Sequence, residues 1–485
     1  MSSPSGTDMN KMMQEFIEMM QKNKVDLETA IKKAMSKVDA VMLHYLENCI
    51  NCAGCAPACP FYEVGPEYSP VNKAEEVRKI YRKEMTIAGK ILGKLVGAEK
   101  PTEEDIDRLM DLAYACTNCG HCYYTCMVGI HSGKVVGLLK SILTATGNVP
   151  TLLAMFEALE VYQMYKQVPG LMQVWQSALE EAQKVAGPIE FDKKFPKEDI
   201  GKPKVFFLGW LTDAMMMREG FISTIKILNK LKEGGVIDWT MWSVPEGIRA
   251  PISVVIGNSE NAVKVVSHIA KVIDEYNPDY VVMMDGGFVY PTWRFEMYGT
   301  IIKSLGKKPE WKIIHITELL DELLKEGKIK FEKSNDAITW HDPCQLGRHS
   351  GVYEPPRNLL KAASTGYRDL PHNREMNYCC GGGGGIGCIL REVRLMMSQI
   401  VGMDIKIPPK EEEFERNVEK KHLIAVRRKM EDIKKSGADI VATACPACIE
   451  TIARGVKHYG KEMGISHVKV IHISEYLADK LKVVG

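Results

Sequence analysis

The sequence predicts an α-helical module carrying cysteine-rich loops, fused to a duplicated α/β domain with parallel strands. Three observations predict it. Residues up to about 186 hold a helical pattern interrupted by two cysteine runs. From Lys202 onward, short apolar β-runs alternate with helices. Segments of the last 150 or so residues repeat earlier ones in character, the mark of an internal duplication.

Residues 9–46 lack Gly and Pro and read as continuous helix, with Met12, Met13, Phe16, Ile17 and Met20 on one apolar face. After the first cysteine run a helix is expected from about Asn72 to Leu95. Thr102 is placed to cap the next, whose first turn is acidic, Glu103-Glu104-Asp105. That helix leads into the second cysteine run, and another follows from His131 to Ala145, stopping at Gly147. Residues 151–186 continue the helical pattern. The cysteine loops therefore sit between helices, unlike those of small β-rich ferredoxins.

Val205–Gly209, Tyr280–Met284 and Ile313–Ile316 read as buried parallel strands. Trp311–Leu320 matches Val468–Leu477 in character, and Pro278–Val282 matches Ala438–Ala442. Five segments result: an N-terminal helix and docking segment (1–47), a helical two-cluster module (48–150), a helical linker (151–200) and two α/β repeats (201–335 and 336–485). In this register Cys445 falls on Asp285, Cys448 on Phe288, Cys344 on Trp210, and Cys379-Cys380-Gly381 on Pro245-Glu246-Gly247. The first repeat keeps the fold and lacks every cysteine.

Bulk properties exclude several classes. With 485 residues, 45% apolar and 26% charged, the chain is an ordinary globular protein of two to four domains. Its 63 basic and 62 acidic residues nearly cancel, which gives no field to draw nucleic acid. No apolar stretch approaches the roughly 18 residues of a membrane span. Fourteen cysteines at metal-like spacings, with no signal-peptide pattern at Met1, fit a reducing cytoplasm.

The first two cysteine groups share one pattern: Cys49-x2-Cys52-x2-Cys55-x3-Cys59-Pro60 and Cys116-x2-Cys119-x2-Cys122-x3-Cys126. Four soft thiolates suit a four-iron cubane, and in two-cluster ferredoxins the fourth cysteine of each run ligates the other cluster. One cubane is then expected on Cys49, Cys52, Cys55 and Cys126, the other on Cys116, Cys119, Cys122 and Cys59. Structural zinc, the alternative, usually spaces its two C-x2-C pairs further apart. His121 reads as a hydrogen-bonding residue, since four thiolates are already present. Met127 stands where a proline would end the second run.

The third group is Cys344, Cys379-Cys380 and Cys445-Pro446-Ala447-Cys448, in three loops that each follow a predicted strand. Adjacent cysteines cannot easily chelate one metal, but they can bridge different irons of a larger cluster. Gly381–Gly385 would let backbone amides approach cluster sulfurs. Gly382, Gly384 and Gly387 satisfy GxGxxG, yet no acidic residue is placed for a ribose, and there is no Walker motif. A plain zinc site or buried thiols are the alternatives. Cys388 reads as a buried thiol sooner than as a ligand.

His341-Asp342-Pro343-Cys344-Gln345-Leu346-Gly347-Arg348, Cys379-Cys380-Gly381-Gly382 and Cys445-Pro446-Ala447-Cys448 resemble the CCG domain of heterodisulfide reductases. The double ferredoxin upstream is similar to the arrangement in the D subunit of that family (HdrD), over about residues 45–485. The resemblance implies that Cys344, Cys379, Cys380, Cys445 and Cys448 hold a noncubane [4Fe–4S] cluster that cleaves sulfur–sulfur bonds. His341 and His349 are candidate proton donors to the leaving thiolate, with a satisfied structural histidine as the alternative for each. Heterodisulfide reductases carry two intact CCG sites and this chain one. That departure and the insertion from Met403 to Asn417 most resemble the K subunit (DsrK) of the Dsr membrane complex. This implies a disulfide or trisulfide reductase of dissimilatory sulfur metabolism, on the cytoplasmic face of the membrane. It would be attached through a b-haem or quinone subunit of the DsrM type and would serve a soluble DsrC-type sulfur carrier. The alternatives are a CoM-S-S-CoB heterodisulfide reductase subunit, or an electron relay of the kind found in flavin dehydrogenases such as those for glycolate and glycerol 3-phosphate. The latter usually keep cysteines in both CCG halves.

Overall fold

A computed structural model of the chain describes residues 24–163, 167–198, 201–248, 252–402 and 404–484. The chain divides into two compact units. One takes the residues up to Leu159 with Ile252–Ser259 and Gly381–Val426; the other takes Glu160–Pro251, Glu260–Cys380 and Arg427–Gly485.

The first unit is helical. Helices Leu27–Met35, Pro70–Met85 and Ile106–Ala113 all pack on Ser132–Ala145, which buries Val135, Val136, Leu139, Ile142 and Leu143. The continuous helix expected over 9–46 is interrupted between Met35 and Ala40, and its Met12–Met20 face lies outside the described residues. The break has a local cause: Asp39 accepts a hydrogen bond from Met42 N at 2.7 Å and so caps a new helix, Ala40–Glu47. Thr86 does the same within the stretch expected as one helix from 72 to 95. It caps Ile87–Leu92 through Gly89 N and ends Pro70–Met85. The Thr102 cap forms as expected, reciprocated by the Asp105 carboxylate.

The second unit holds the sheets of the two α/β repeats. In the first, strands β1 (Lys204–Phe207), β2 (Asp238–Thr240), β3 (Tyr280–Met283) and β4 (Lys312–His315) form a parallel sheet in the order β2-β1-β3-β4. Strand β5 (Ile329–Phe331) closes that repeat. In the second repeat β6 (Ile338–Trp340), β7 (Ile440–Thr443) and β8 (Lys469–His472) form a parallel sheet in the order β6-β7-β8, and β9 (Leu481–Val483) closes it. β5 and β9 pair antiparallel, so the two closing strands bind the repeats to each other.

Strand pairing fixes the equivalence between repeats. Met283 lies opposite His315 and Thr443 opposite His472, so Asp285 and Cys445 occupy matching positions, two residues on. Along the other ladder Phe207 pairs with Val282 and Trp340 with Ala442. Counting on from these pairs sets Cys344 against Leu211, one residue beyond the Trp210 expected from the sequence, and sets Trp210 against Pro343. The shift arises because three residues, His341-Asp342-Pro343, separate the strand end Trp340 from Cys344, whereas two, Leu208-Gly209, separate the strand end Phe207 from Trp210.

Candidate metal centres

In the first unit the cysteine loops are shaped by backbone conformations that L-residues rarely adopt. Asn51, Ala53 and Asn118 have φ of 55°, 55° and 52°. Asparagine tolerates this region; for Ala53 it costs about 1 kcal/mol, a strain that persists only where the surroundings impose it. Cys59, Cys116, Cys119 and Cys122 line one cavity together with Lys73. Burial pushes the Cys122 thiol up to about 12, and the nearby thiols of Cys119, Cys116 and Cys59 add to this. Burial likewise raises Cys55, to about 12, with Cys122, Cys126 and Cys49 contributing. Thiols so crowded and so hard to ionise fit a positively charged metal core that would hold them as thiolates.

Two lysines that the sequence did not single out enter this region. Lys73, 2% exposed, places Nζ 3.4 Å from Cys59 Sγ and donates to Ala115 O at 2.8 Å. Lys140, 3% exposed, donates to Gly384 O at 2.6 Å and lies over the Tyr114 ring; burial pushes it down to about 8. The glycine run has a neighbour other than the expected one. A Cβ on Gly384 would stand 2.3 Å from Cys116 O, and one on Gly383 2.6 Å from Thr117 O, so these glycines let the chain lie against the second cysteine loop.

In the second unit Cys344, Cys379, Cys380, Cys445 and Cys448 are all buried. Cys445 caps helix Pro446–Met463 and Cys448 lies in its first turn, at the carboxyl end of β7, where open α/β sheets gather ligands. Cys448 and Cys380 sulfurs are 3.3 Å apart. Hydrogen bonds from Cys379 and Cys448 hold the Cys380 thiol well below its usual value, and Cys448 keeps the proton. His341, 1% exposed, has neither ring nitrogen hydrogen-bonded, and its ring comes within 4.8 Å of both Cys380 and Cys448 sulfurs. Burial keeps its imidazole neutral, assisted by the Lys429 charge, so its capacity is to donate or accept one hydrogen bond. An orphaned buried imidazole beside the buried Cys380 and Cys448 sulfurs fits a metal–sulfur group, whose sulfur or iron would satisfy it. His349 is half-buried in the loop after Cys344, while Cys388 is half-buried in the other compact unit.

These loops are fixed by one buried ion pair. Arg357 grips both carboxylate oxygens of Asp342 at 2.7 Å, and Asp342 also accepts from Trp340 Nε1 and Arg374 N. Asn377 donates to Asp342 O, and Lys429 donates to Asn377 Oδ1 at 2.6 Å. The Cys344 loop and the Cys379-Cys380 loop are thereby tied together. At the matching place in the first repeat, Trp210 packs with Trp242 and Trp293 at ring distances of 5.7 and 5.8 Å, and Asp285 accepts from Gly287 N. That repeat is packed with aromatic rings.

A helical multi-cysteine module joined to an α/β domain with five buried cysteines is the make-up of an iron–sulfur oxidoreductase subunit. Residues 45–130, which contain all eight upstream cysteines, match the family model for a 4Fe-4S dicluster domain. Residues 338–398 and 413–453 match the cysteine-rich CCG model, both segments falling in the second repeat. The chain is 24% identical to the D subunit of the dihydromethanophenazine:CoB–CoM heterodisulfide reductase of Methanosarcina acetivorans, covering 89% of this chain and 94% of that one. It is 26% identical to an Hdr-like menaquinol oxidoreductase iron–sulfur subunit of Archaeoglobus fulgidus, over 74% and 70%. It is 22% identical to an EtfAB:quinone oxidoreductase of Syntrophomonas wolfei, over 89% and 58%. Over most of its length the chain is thus similar to the D subunits of heterodisulfide reductases and to Hdr-like menaquinol oxidoreductase subunits.

Proposed function

We propose that this chain is the iron–sulfur subunit of a membrane-bound respiratory complex of dissimilatory sulfur metabolism, similar to DsrK, and that it reduces a sulfur–sulfur bond at its C-terminal centre. Two cubanes would be held by Cys49, Cys52, Cys55, Cys126 and by Cys116, Cys119, Cys122, Cys59. The shared cavity of the second set supports this crossed grouping. A noncubane cluster would be held by Cys344, Cys379, Cys380, Cys445 and Cys448. The observation that carries the reading is the unpartnered His341 ring beside the buried sulfurs of Cys380 and Cys448, with Cys379 and Cys445 against the same two thiols.

Splitting one sulfur–sulfur bond takes two electrons and two protons; a disulfide releases two thiols and a trisulfide one thiol and one hydropersulfide. A cluster at this centre would supply the electrons singly. The chain's own residues keep the centre dry, hold its ligand loops through Asp342 and Arg357, and offer the His341 N–H to a sulfur. The electron source would be a quinol or b-haem subunit of the DsrM type, and the substrate a trisulfide on a DsrC-type carrier. None of the helices among the described residues is long and apolar enough to cross a membrane, so attachment would run through that partner.

Anaerobically purified protein is then expected to hold about 12 iron atoms, from three four-iron clusters. Cys445→Ser should remove the C-terminal cluster signal in EPR of oxidised, thiol-treated protein and leave about 8 iron atoms as two cubanes. Loss of a cubane signal, or zinc in the C-terminal site, would sink the assignment. The likeness to an EtfAB:quinone oxidoreductase favours a second reading, electron relay to a flavoprotein partner. A trisulfide-loaded carrier should oxidise the reduced C-terminal cluster and a carrier lacking its tail cysteines should not; equal oxidation by both leaves the relay.

A further inference from the structure

Lys73 stands where neither burial nor the helix dipole favours a cation. It lies in the first turn or so of helix Pro70–Met85, where the helix dipole repels a cation, and it is 2% exposed. A buried ammonium costs several kcal/mol unless an anion or several hydrogen bonds compensate it. Its contacts are Ala115 O at 2.8 Å, Cys59 Sγ at 3.4 Å and the Phe61 ring face at 5.7 Å. The charges that act on it most are those of Cys59, Cys116 and Cys122 as thiolates. A neutral carbonyl and a ring do not offset the cost; an anionic cluster on those cysteines does.

We propose that Lys73 is a potential-setting residue of the cubane on Cys59, Cys116, Cys119 and Cys122, acting by a fixed positive charge and an N–H···S hydrogen bond to Cys59. The proposal rests on the cubane pairing given above. Reduction adds a negative charge to a cluster in a buried site, which burial alone disfavours. A cation and a hydrogen-bond donor at a ligand sulfur stabilise the reduced form and raise the potential. Lys73 thus keeps a buried cluster reducible, and Lys140 assists from the Cys116 carbonyl, 3.3 Å from its Nζ. The role is one of tuning, exerted through the ligand sulfur.

The test is an EPR-monitored redox titration of the anaerobic full-length protein, with iron and zinc measured on the same samples. Lys73→Met, which keeps the length of the side chain and removes its charge, should shift one cubane's midpoint potential downward. The other cubane should stay where it was and the iron content should be unchanged. Lys73→Arg should restore most of the shift. Full iron with both potentials unmoved in Lys73→Met would overturn the role of Lys73 while leaving the cubane pair standing. Zinc in place of iron in the wild-type protein would overturn the cubane reading and this proposal together. Should Lys73→Met fail to assemble, the wild-type protein labelled with 15N-lysine decides the matter without a variant. Pulsed EPR of its reduced form should show a lysine nitrogen coupled to one cubane, and no coupling at either cubane would refute the hydrogen bond.

Discussion

Asp342 sits between two sulfur-bearing loops, and its carboxylate meets Arg357, the Trp340 indole and the Arg374 amide while its carbonyl meets Asn377. Both members of the pair are buried, with side chains 0% and 2% exposed. Such a pair contributes little beyond what apolar residues would, but breaking it leaves a charge with no partner. Arg357→Met should therefore cost about 3–5 kcal/mol in urea unfolding. It should also lower iron at the C-terminal centre, because the Cys344 and Cys379-Cys380 loops lose their common anchor. Arg357→Lys should not rescue it, since an ammonium cannot replace the bidentate fork. A loss below about 1 kcal/mol would show that the loops are held by other contacts.

At the scale of elements, the two repeats meet through a pair of equivalent histidines. His315 ends β4 and His472 ends β8; each caps the helix that follows, with Glu318 and Glu475 completing the capping boxes. Both rings donate from Nε2 to one carbonyl, Met284 O, at 2.9 and 3.1 Å. Burial pushes His315 down to about 4 and His472 to about 3, with Arg294 adding to the first. The unfolded chain takes up these protons near pH 6.5. Between about 6.5 and 4 the unfolded state holds more protons, so the contribution is complete above that window and is lost as pH falls. The slope is about 1.4 kcal/mol per pH unit for each ring. Urea midpoints from pH 7.5 to 5 should fall accordingly, and less steeply in His315→Gln/His472→Gln. Equal slopes would place the acid sensitivity elsewhere.

The strands of these repeats were legible because buried parallel strands show as apolar runs, and the duplication because His315-Ile316-Thr317-Glu318 and His472-Ile473-Ser474-Glu475 keep the same cap chemistry. The helix breaks at Ser36–Asp39 and Thr86 were missed. Each depends on a single side chain capturing a backbone amide, which apolar periodicity does not register. The cysteines were legible from spacing alone. Lys73, Lys140 and Lys429 were not, since nothing local distinguishes a buried lysine from a solvated one. The close approach of Gly383 and Gly384 to Thr117 and Cys116 was not legible, because those neighbours lie more than 250 residues away in sequence.

For the whole molecule, the proposed function calls for attachment to a membrane partner. Met12, Met13, Phe16, Ile17 and Met20 lie outside the described residues; in the sequence they recur at three- and four-residue spacing, and methionine suits an adaptable contact. Removing 1–40 would be a poor test, because helix Leu27–Met35 buries Ala30, Ile31, Ala34 and Met35 as part of the first unit's core. A deletion of 1–23 spares that packing. It should release the protein from membranes while iron content and unfolding midpoint stay at wild-type values. A truncated protein that still co-purifies with its membrane partner would move the dock elsewhere. The side chains to examine next would be Ile87, Ile91 and Leu95, which are 79%, 76% and 87% exposed beside Lys90 and Lys94. Replacing those three by Ser should then release the truncated protein, and membrane retention after both changes would exclude the helical module as the attachment site.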